Sequence, residues 1–354
     1  MKNSIMWKYI DEEPNSINKL LASQDVHQIV QIIRHYDEVI FVAHGSSFNA
    51  AITIHNFFSK MTGIHTEVFT PSQFIYNKLE ISKERRELII AISQTGTSRG
   101  VIEAIEYAHR NGNYVLGLTD NADTLIERSS DSTAYIYCGN EESNAKTKGY
   151  TNTLVLLLLL AIHTGIVRKH ISEQIAEDVI KEIESSLSMI PTVKNHVLQR
   201  LKEARFGKDE KTMYIIGNGM NYGTAMEGQL KIMETMCIPT AFNNTGEFSH
   251  GMHRSVNKNV DSIVIDVGEI EHNDTLTTWK FLSRNGSKSI LITTNPEIQG
   301  NLVIHIPYFK LTQSVILTTL IIQVVSTFIP ELNGLDPNRA SHNEFPKEIE
   351  TRIL

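Results

Sequence analysis

Short apolar runs alternate with longer helical patterns along the whole chain, and this alternation restricts the fold more than any other feature. In the first half, the runs predict strands at 39–43, 65–69, 87–92, 114–118 and 134–137, and a helix follows over about 147–167. Such alternation is typical of parallel sheets that are covered by helices on both faces. We therefore predict an α/β fold in which each sheet is doubly wound and flavodoxin-like.

The second half repeats the plan of the first. Strands are predicted at 213–216, 262–267, 289–293 and 302–306. Gly45 and Gly217 follow corresponding strands 172 positions apart, and Leu116 and Leu291 are 175 positions apart. This near-constant offset predicts two tandem copies of one domain. We expect an N-terminal helical segment (1–36), a first domain (37–167), a helical linker (168–210), a second domain (211–330) and a C-terminal tail (331–354).

Charge and composition exclude several classes of protein. The net charge of −7 argues against a general nucleic-acid binder and against attraction to a membrane surface. The apolar stretch 154–162 is about half as long as a membrane-spanning helix, so we expect a buried helix. Cys138 and Cys237 show neither a disulfide pattern nor metal-type spacing. We therefore expect a cytoplasmic protein without a metal or other cofactor.

A polar loop stands where a predicted strand turns into a helix, in the run Ala-Ile-Ser-Gln-Thr-Gly-Thr-Ser-Arg at 91–99. Gly96 allows close approach of the backbone, and the following helix start offers unpaired N–H groups and a positive dipole end. Such a loop suits a phosphate held without a metal, although an ordinary helix-capping loop has a similar composition. The candidate phosphate-binding side chains are Ser93, Gln94, Thr95, Thr97 and Ser98.

The glycine-rich turn at 217–223 does not predict a dinucleotide site. Its spacing is G-x-G-x-x-x-G, which differs from the G-x-G-x-x-G of dinucleotide-binding folds. An acidic residue that would cap the second strand of such a fold is not evident either. We therefore reject a nicotinamide or flavin cofactor at this turn.

Five segments in order resemble the SIS (sugar isomerase) family of phosphosugar enzymes, across nearly the whole chain. The pattern is most similar to the isomerase half of glucosamine-6-phosphate synthase, to sugar-phosphate deaminases and to fructosamine-6-phosphate deglycases. The matching segments are Ile-Asp-Glu-Glu-Pro (10–14), Gly45-Ser46-Ser47, Ser-Gln-Thr-Gly-Thr-Ser (93–98), Glu-Gly-Gln-Leu-Lys-Ile-Met-Glu (227–234) and Gly-Glu-Phe-Ser-His-Gly (246–251). The resemblance implies a phosphorylated sugar substrate bound by the loop at 93–98, with Gly45, Ser46 and Ser47 beside it.

The resemblance also implies the catalytic groups. Glu234 matches the base that moves a proton between C1 and C2 of an open-chain sugar phosphate, whereas its sequence context alone favours an exposed helical glutamate. His250 matches the histidine that assists ring opening and donates a proton to a sugar oxygen or leaving nitrogen. In relatives this histidine acts across a dimer interface, so the resemblance implies a homodimer with its sites near that interface.

Several secondary site residues follow from the same segments. Glu247 either orients His250 or caps a turn, and Arg254 is suited to read a carboxylate or a second phosphate. In the stretch that precedes the helix at 150–167, Thr147 is placed to cap the helix. Lys148 either neutralises phosphate or sugar hydroxyls or lies in a solvated basic turn.

Departures from the synthase narrow the predicted activity. The chain has no N-terminal cysteine to act as a glutaminase nucleophile, and the tail stretch 337–343 has no lysine where the synthase has one. His342 or Asn343 takes that place in the tail. We therefore predict a deglycase or deaminase of an amino-sugar or fructosamine 6-phosphate. The alternatives are an aldose–ketose phosphosugar isomerase and a non-catalytic sugar-phosphate-binding regulator.

The two repeats differ at the corresponding loop. The counterpart of 93–98 in the second repeat lies near 267–269 and carries an acid instead of serines. We therefore expect the first repeat to hold the phosphate and the second repeat to supply the catalytic Glu234 and His250.

Overall fold

The computed structural model describes residues 4–77, 86–209, 211–268, 271–338, 341–342 and 344–353. Within these ranges, all paired strands lie in two five-stranded parallel sheets. The first sheet contains β1 (Glu38–Ala43), β2 (His65–Phe69), β3 (Glu87–Ile92), β4 (Tyr114–Thr119) and β5 (Ser132–Tyr135). The second sheet contains β6 (Thr212–Gly217), β7 (Thr240–Asn243), β8 (Val260–Asp266), β9 (Ser289–Thr293) and β10 (Val303–His305).

Helices connect the strands. Those in and before the first sheet are α1 (Ile5–Leu21), α2 (Asp25–Ile33), α3 (Gly45–Thr62), α4 (Pro71–Asn77), α5 (Arg99–Arg110), α6 (Leu125–Ser129) and α7 (Lys148–Val167). The remaining helices are α8 (Glu173–Ala204), α9 (Asn221–Met236), α10 (Thr245–Ser249), α11 (His272–Asn285), α12 (Val315–Leu332) and α13 (Glu344–Glu348), with a 3₁₀ helix at Met252–Ser255.

The two sheets have the same topology. The first has the order β2-β1-β3-β4-β5, and the second, read from its other edge, has β7-β6-β8-β9-β10. This equivalence confirms the predicted duplication and the α/β class. The sequence pattern does not predict β7, because this edge strand follows Pro239 and its Thr-Ala-Phe-Asn sequence contains no apolar run.

The chain divides into two compact units. The first-sheet unit comprises Asn15–Glu141, Lys148–Val179 and His342–Leu354, and the second-sheet unit comprises Met1–Pro14, Glu142–Thr147 and Ile180–Ser341. Most of the stretch 168–210 forms the single helix α8, whose residues are shared between the units. The short segment Glu142–Thr147 belongs to the second-sheet unit, although the chain on both sides of it belongs to the other.

Each unit contains one long apolar helix. Helices α7 and α12 are long and apolar enough to cross a membrane, but 83% of the most apolar stretch of α7 and 89% of that of α12 are buried within the protein. Helix α7 packs on α3 so closely that a Cβ at Gly165 would lie 2.3 Å from the carbonyl oxygen of Met61. Helices α3 and α7 can therefore approach this closely only because residue 165 is a glycine.

We predict that Gly165→Ala destabilises the fold. Alanine is the better helix former by about 1 kcal/mol, but its methyl group would overlap a backbone oxygen that cannot move alone. The free energy of unfolding, measured in urea, should fall by about 1–3 kcal/mol. The exposed Gly246→Ala is the control, since its Cβ would lie 3.3 Å from the nearest atom, the side-chain oxygen of Asn244. A Gly165→Ala protein as stable as the wild type would contradict this account of the packing.

Candidate functional site

The loop at 93–98 lies at the point where the strand order of the first sheet reverses. Strands β1 and β3 are hydrogen-bonded neighbours, and the chain leaves their carboxyl ends toward opposite edges of the sheet. In open α/β sheets, ligands bind in the crevice at this reversal. Gly45, Ser46 and Ser47 form the first turn of α3 directly after β1, and the loop follows β3. The topology thus places both predicted phosphate-binding segments at one crevice of the first-sheet unit.

The backbone of the loop is a tight turn that requires glycine. Gly96 has φ +68°, and its N–H donates to the carbonyl of Ser93 at 2.9 Å. A Cβ at Gly96 would lie 2.3 Å from Thr124, so both the conformation and the space exclude a side chain. The hydroxyl oxygens of Thr95 and Thr97 are 3.2 Å apart. The turn therefore holds two hydroxyls together beside the start of α5.

Ser98 immediately precedes α5. It is the N-cap residue of the helix, yet its hydroxyl makes no capping hydrogen bond. The side chains of Thr95, Thr97 and Ser98 are partly exposed, whereas Ser93 is buried. Partly exposed hydroxyls at a helix start are available to an anion, which is what the phosphate prediction requires.

Gln94 makes contacts within the protein, and its predicted part in binding phosphate stays a prediction. Its side-chain nitrogen donates to Glu141 at 3.0 Å and approaches the sulfur of Cys138 at 3.1 Å. The carboxylate of Glu141 also accepts the N–H groups of Lys148 and Gly149, at 3.0 and 2.9 Å, and so caps α7. The amide of Gln94 therefore fastens the loop to α7. Glu141 was not identified from sequence, because a single loop glutamate carries no spacing signal.

The segment before α7 is buried. Lys148 is only 6% exposed, which excludes the solvated basic turn that the sequence left open. Thr147, in the second-sheet unit, is fully buried, and its carbonyl accepts a hydrogen bond from Gln323 at 3.3 Å.

The C-terminal segment pairs with the loop at 93–98 and the start of α5 inside the first-sheet unit. The N–H of Ile353 donates to the carbonyl of Thr97 at 2.9 Å, and the carbonyl of Thr351 accepts the N–H of Arg99 at 3.1 Å. Ser98 and Arg352 form the antiparallel bridge between these two bonds. The chain end thus forms a short strap along residues 97–99.

The tail residues that the sequence predicts over the site are His342 and Asn343, and that placement stays a prediction. His342 is exposed, with its Nδ1 3.4 Å from Glu344, and Asn343 lies outside the described residues. Residues 351–353, which the sequence did not single out, make the tail's contact with the loop.

Helix α9 of the second-sheet unit carries three charged side chains on one face. Glu227, Lys231 and Glu234 are spaced i, i+4 and i+7, which places them one above another. The ammonium of Lys231 lies 2.8 Å from a carboxylate oxygen of Glu227 and 3.0 Å from one of Glu234. Lys231 and Glu227 are buried, whereas the Glu234 side chain is 28% exposed. Glu234 is therefore the member of this charged triad that is accessible to solvent.

Burial and charge set the basicity of this triad. Desolvation raises the pKa of Glu234 above 4.5, and the negative charge of Glu227 raises it further. The Lys231 ammonium and, more weakly, Lys146 lower this pKa and so oppose the shift. Burial alone would lower the pKa of Lys231, but the two carboxylates outweigh it and raise that pKa. Lys231 therefore stays charged, and Glu234 is a stronger base than an ordinary glutamate. The sequence motif contained Lys231 and Glu227, but only the structure shows that they form one ionic group with Glu234.

His250 follows α10 and is exposed, with one ring nitrogen fixed. Its Nδ1 lies 2.8 Å from the carbonyl of Gly246 and 3.1 Å from the hydroxyl of Ser249. Because a carbonyl only accepts, the neutral ring carries its proton on Nδ1 and presents a lone pair at Nε2. Gly246, and not Glu247, therefore orients the ring. The side chain of Asn244 caps α10 by accepting the N–H of Glu247 at 2.8 Å.

The corresponding crevice of the second sheet is filled by its own polar side chains. Asn218, after β6, donates to the hydroxyls of Thr245 and Thr275 at 2.8 and 2.9 Å. Asp266, at the end of β8, is buried and accepts from His272 and Thr293 at 2.8 and 2.9 Å. The polar side chains of this second crevice therefore hydrogen-bond to one another, whereas Thr95, Thr97 and Ser98 of the first-sheet crevice are partly exposed. Arg254 lies exposed on the 3₁₀ helix, and its predicted role in substrate reading stays a prediction.

Known proteins resemble this chain in both sequence and fold. Glutamine–fructose-6-phosphate aminotransferase (isomerizing) of Thermococcus kodakarensis is 27% identical over 342 residues, which cover 94% of this chain and 56% of the relative. The chain thus spans about half the length of the curated relatives that it matches.

Solved structures show the same fold. The C-terminal domain of glucosamine-fructose-6-phosphate aminotransferase from Francisella tularensis superposes with a TM-score of 0.87 at 20% identity, covering 96% of this chain and 99% of that one. Glucosamine-6-phosphate deaminase from Thermotoga maritima superposes with a TM-score of 0.76 at 19% identity, covering 96% and 98%. The SIS domain family model matches residues 32–163 and 208–306, together more than half of the chain. With its two matching sheets, the chain belongs to the SIS domain family.

Proposed function

We propose that this protein is a phosphosugar enzyme that removes an amine from an amino-sugar or fructosamine 6-phosphate by enolisation at C1 and C2. The observation that carries the proposal is the charged triad on α9, in which Glu234 is partly exposed, desolvated and 3.0 Å from a buried ammonium. A carboxylate in this setting suits the abstraction of a proton from a carbon acid near neutral pH. The loop at 93–98, which suits a phosphate held without a metal, is the second observation that supports the proposed activity.

The phosphate loop supplies binding energy in this proposal. The N–H groups at the start of α5 and the hydroxyls of Thr95, Thr97 and Ser98 bind the phosphate, and Lys148 adds a positive charge near the loop. Because the phosphate is remote from C1 and C2, its binding energy serves to hold the open-chain sugar for reaction. Gln94 acts indirectly, since its amide anchors the loop to Glu141.

Glu234 carries the proton. For a fructosamine 6-phosphate, its carboxylate removes a proton from C1, which gives the 1,2-enaminol, and returns the proton to C2. The resulting imine at C1 is hydrolysed by water to a hexose 6-phosphate and a free amine. Lys231 holds Glu234 in place and keeps it from becoming too basic to release the proton, since the ammonium lowers the pKa that burial raises.

His250 is the acid–base partner in this proposal. Its Nε2, which faces away from the Gly246 contact, exchanges a proton with a sugar oxygen during ring opening or with the departing nitrogen. The exposed position of His250 suits a role at the site of a neighbouring subunit, so we propose a homodimer.

Two other activities share the same groups. An aldose–ketose isomerase needs the same base and phosphate loop but releases no amine, and a sugar-phosphate-binding regulator needs the loop alone. A substrate panel of fructosamine 6-phosphates, glucosamine 6-phosphate and tagatose 6-phosphate separates the three activities. Release of an amine supports our proposal, epimer or ketose formation alone supports the isomerase, and binding without turnover supports the regulator.

We predict that Glu234→Gln abolishes turnover while the protein still folds and binds phosphosugar. The variant is nearly isosteric, but the neutral amide cannot accept a proton from carbon. Amine release in steady-state assays should fall at least about 100-fold. Glu184→Gln, on the exposed face of α8, is the matched control and should retain full activity. Undiminished turnover by Glu234→Gln would remove Glu234 as the base.

We predict that the acid limb of the pH profile depends on Lys231. Glu234 is active as the carboxylate, so kcat/KM falls as pH drops through its pKa, which burial places above 4.5. Removing the ammonium raises that pKa further and moves the limb to higher pH. The Glu227→Gln/Lys231→Met double variant avoids an unpaired buried charge, which would cost about 3–5 kcal/mol. Loss of Glu227 lowers the pKa of Glu234, but loss of Lys231 has the larger effect, so the limb still moves to higher pH. The exposed Lys280→Met is the control, and its acid limb should lie at the wild-type pH. If the acid limb of the double variant also lies at the wild-type pH, Lys231 does not set the pKa of Glu234.

We predict that Ile353→Pro weakens substrate binding through the phosphate loop. Proline has no N–H to donate to the carbonyl of Thr97, so the strap along residues 97–99 loses a hydrogen bond. The KM for the phosphorylated substrate should rise roughly 3- to 10-fold, the equivalent of one hydrogen bond, with less change in kcat. Ile353→Ala keeps the N–H and should match the wild type. Equal KM values for the two variants would show that the strap does not support the loop.

A further inference from the structure

A histidine and two glutamates meet at the end of the first sheet that is opposite to the phosphate loop. Glu38 begins β1 and His65 begins β2, and these residues are direct partners in the parallel register. Glu67 lies two residues after His65, so its side chain is on the same face of the strand. One potential ligand atom from each residue lies within 4.8 Å of the others, and His65 Nε2 is 3.8 Å from a Glu38 oxygen.

Among the residues that the structure describes, carboxylates outnumber cationic groups in this cluster. The side chain of Glu38 is only 9% exposed, and Glu67 adds a second carboxylate, against a single imidazole. On the other side of Glu38, its register partner Glu87 is also buried and accepts a hydrogen bond from Asn113 at 3.4 Å. The arrangement therefore concentrates negative charge where the sheet limits hydration.

A second histidine lies beside this cluster. His55 is on α3, and its backbone carbonyl accepts a hydrogen bond from the hydroxyl of Thr66 at 2.8 Å. Its Nδ1 is buried. A divalent cation would neutralise the two carboxylates, as a protonated histidine alone cannot.

We propose that Glu38, His65 and Glu67 bind a divalent transition-metal ion, with Zn²⁺ as the best match. One imidazole nitrogen and two carboxylate oxygens suit Zn²⁺, and three protein ligands leave a position for water. The ligands lie on two hydrogen-bonded strands, so the backbone that carries them is fixed before the ion arrives. His65 is 56% exposed, which leaves the site open to solvent. The ion would fasten the edge strand β2 to β1.

This site is independent of the phosphosugar chemistry. It uses the amino ends of β1 and β2, whereas the phosphate loop follows the carboxyl end of β3. The sequence did not reveal it, since positions 38, 65 and 67 have no metal-type spacing and come together only through the strand register. Its role is therefore to stabilise the sheet edge, because a ligand that binds only the folded state shifts unfolding to higher temperature.

The test is a titration of the full chain, stripped with a chelator, with Zn²⁺ and with Co²⁺ as a spectroscopic probe. We expect one ion per chain with a micromolar dissociation constant, a tetrahedral or five-coordinate Co²⁺ absorption spectrum and a higher Tm. His65→Ala and Glu67→Gln should each weaken binding at least about tenfold. His109→Ala is the matched control, because His109 pairs with Asp131 at 3.1 Å on the same unit without a third ligand.

Two results would overturn the proposal. One is binding that needs millimolar Zn²⁺, which would indicate a salt-bridged surface without a metal site. The other is Zn²⁺ affinity that His65→Ala and Glu67→Gln leave unchanged, which would place the ion elsewhere on the chain. Thermal unfolding without metal provides the folding control, since the exposed His65 and the partly exposed Glu67 should tolerate substitution.

Discussion

The buried ammonium of Lys231 is the interaction on which the proposed chemistry depends. A lysine this buried keeps its charge only because Glu227 and Glu234 lie within 3.0 Å of it. Glu227 shares its burial, whereas Glu234 reaches solvent, so one carboxylate balances the ammonium and the other is left for reaction. Helix α9 can carry the triad because Gly228 lets it pack on β6, where a Cβ would lie 2.7 Å from Ile215.

Our proposal assigns a different task to each copy of the duplicated fold. Both sheets have the same strand order and therefore the same crevice at their carboxyl ends. In the first-sheet unit that crevice carries hydroxyls, a helix start and a glycine turn, and the C-terminal strap fastens it. In the second-sheet unit Asn218, Asp266 and their partners lie in the crevice, and the groups that we propose as reactive are on α9 and after α10. Duplication thus preserved the scaffold while the polar groups diverged.

The sequence predicted the scaffold better than the site. Nine strands were predictable because apolar runs flanked by helical periodicity depend on local burial, and β7 was missed because its residues lack that pattern. The residues at 93–98 were recognisable from their position between strand and helix. Partners that meet only through folding were not recognisable, and the role of Gln94 at Glu141, the strap at 351–353 and the meeting of Glu38 with His65 are of this kind. Neither spacing nor composition encodes contacts between residues so far apart in sequence.

The central claim is that Glu234 removes a proton from C1 or C2 of a phosphosugar. Exchange of deuterium from the solvent tests it most directly, since this exchange detects proton transfer at carbon whatever the final product is. The enzyme would be incubated in D₂O with fructosamine 6-phosphate and with the same compound lacking phosphate, and the deuterium at C1 and C2 followed by NMR. Our account predicts rapid incorporation into the phosphorylated compound, at least about 100-fold slower incorporation without the phosphate and none with Glu234→Gln. Absence of deuterium from C1 and C2 of every hexose and amino-hexose phosphate tested would contradict it.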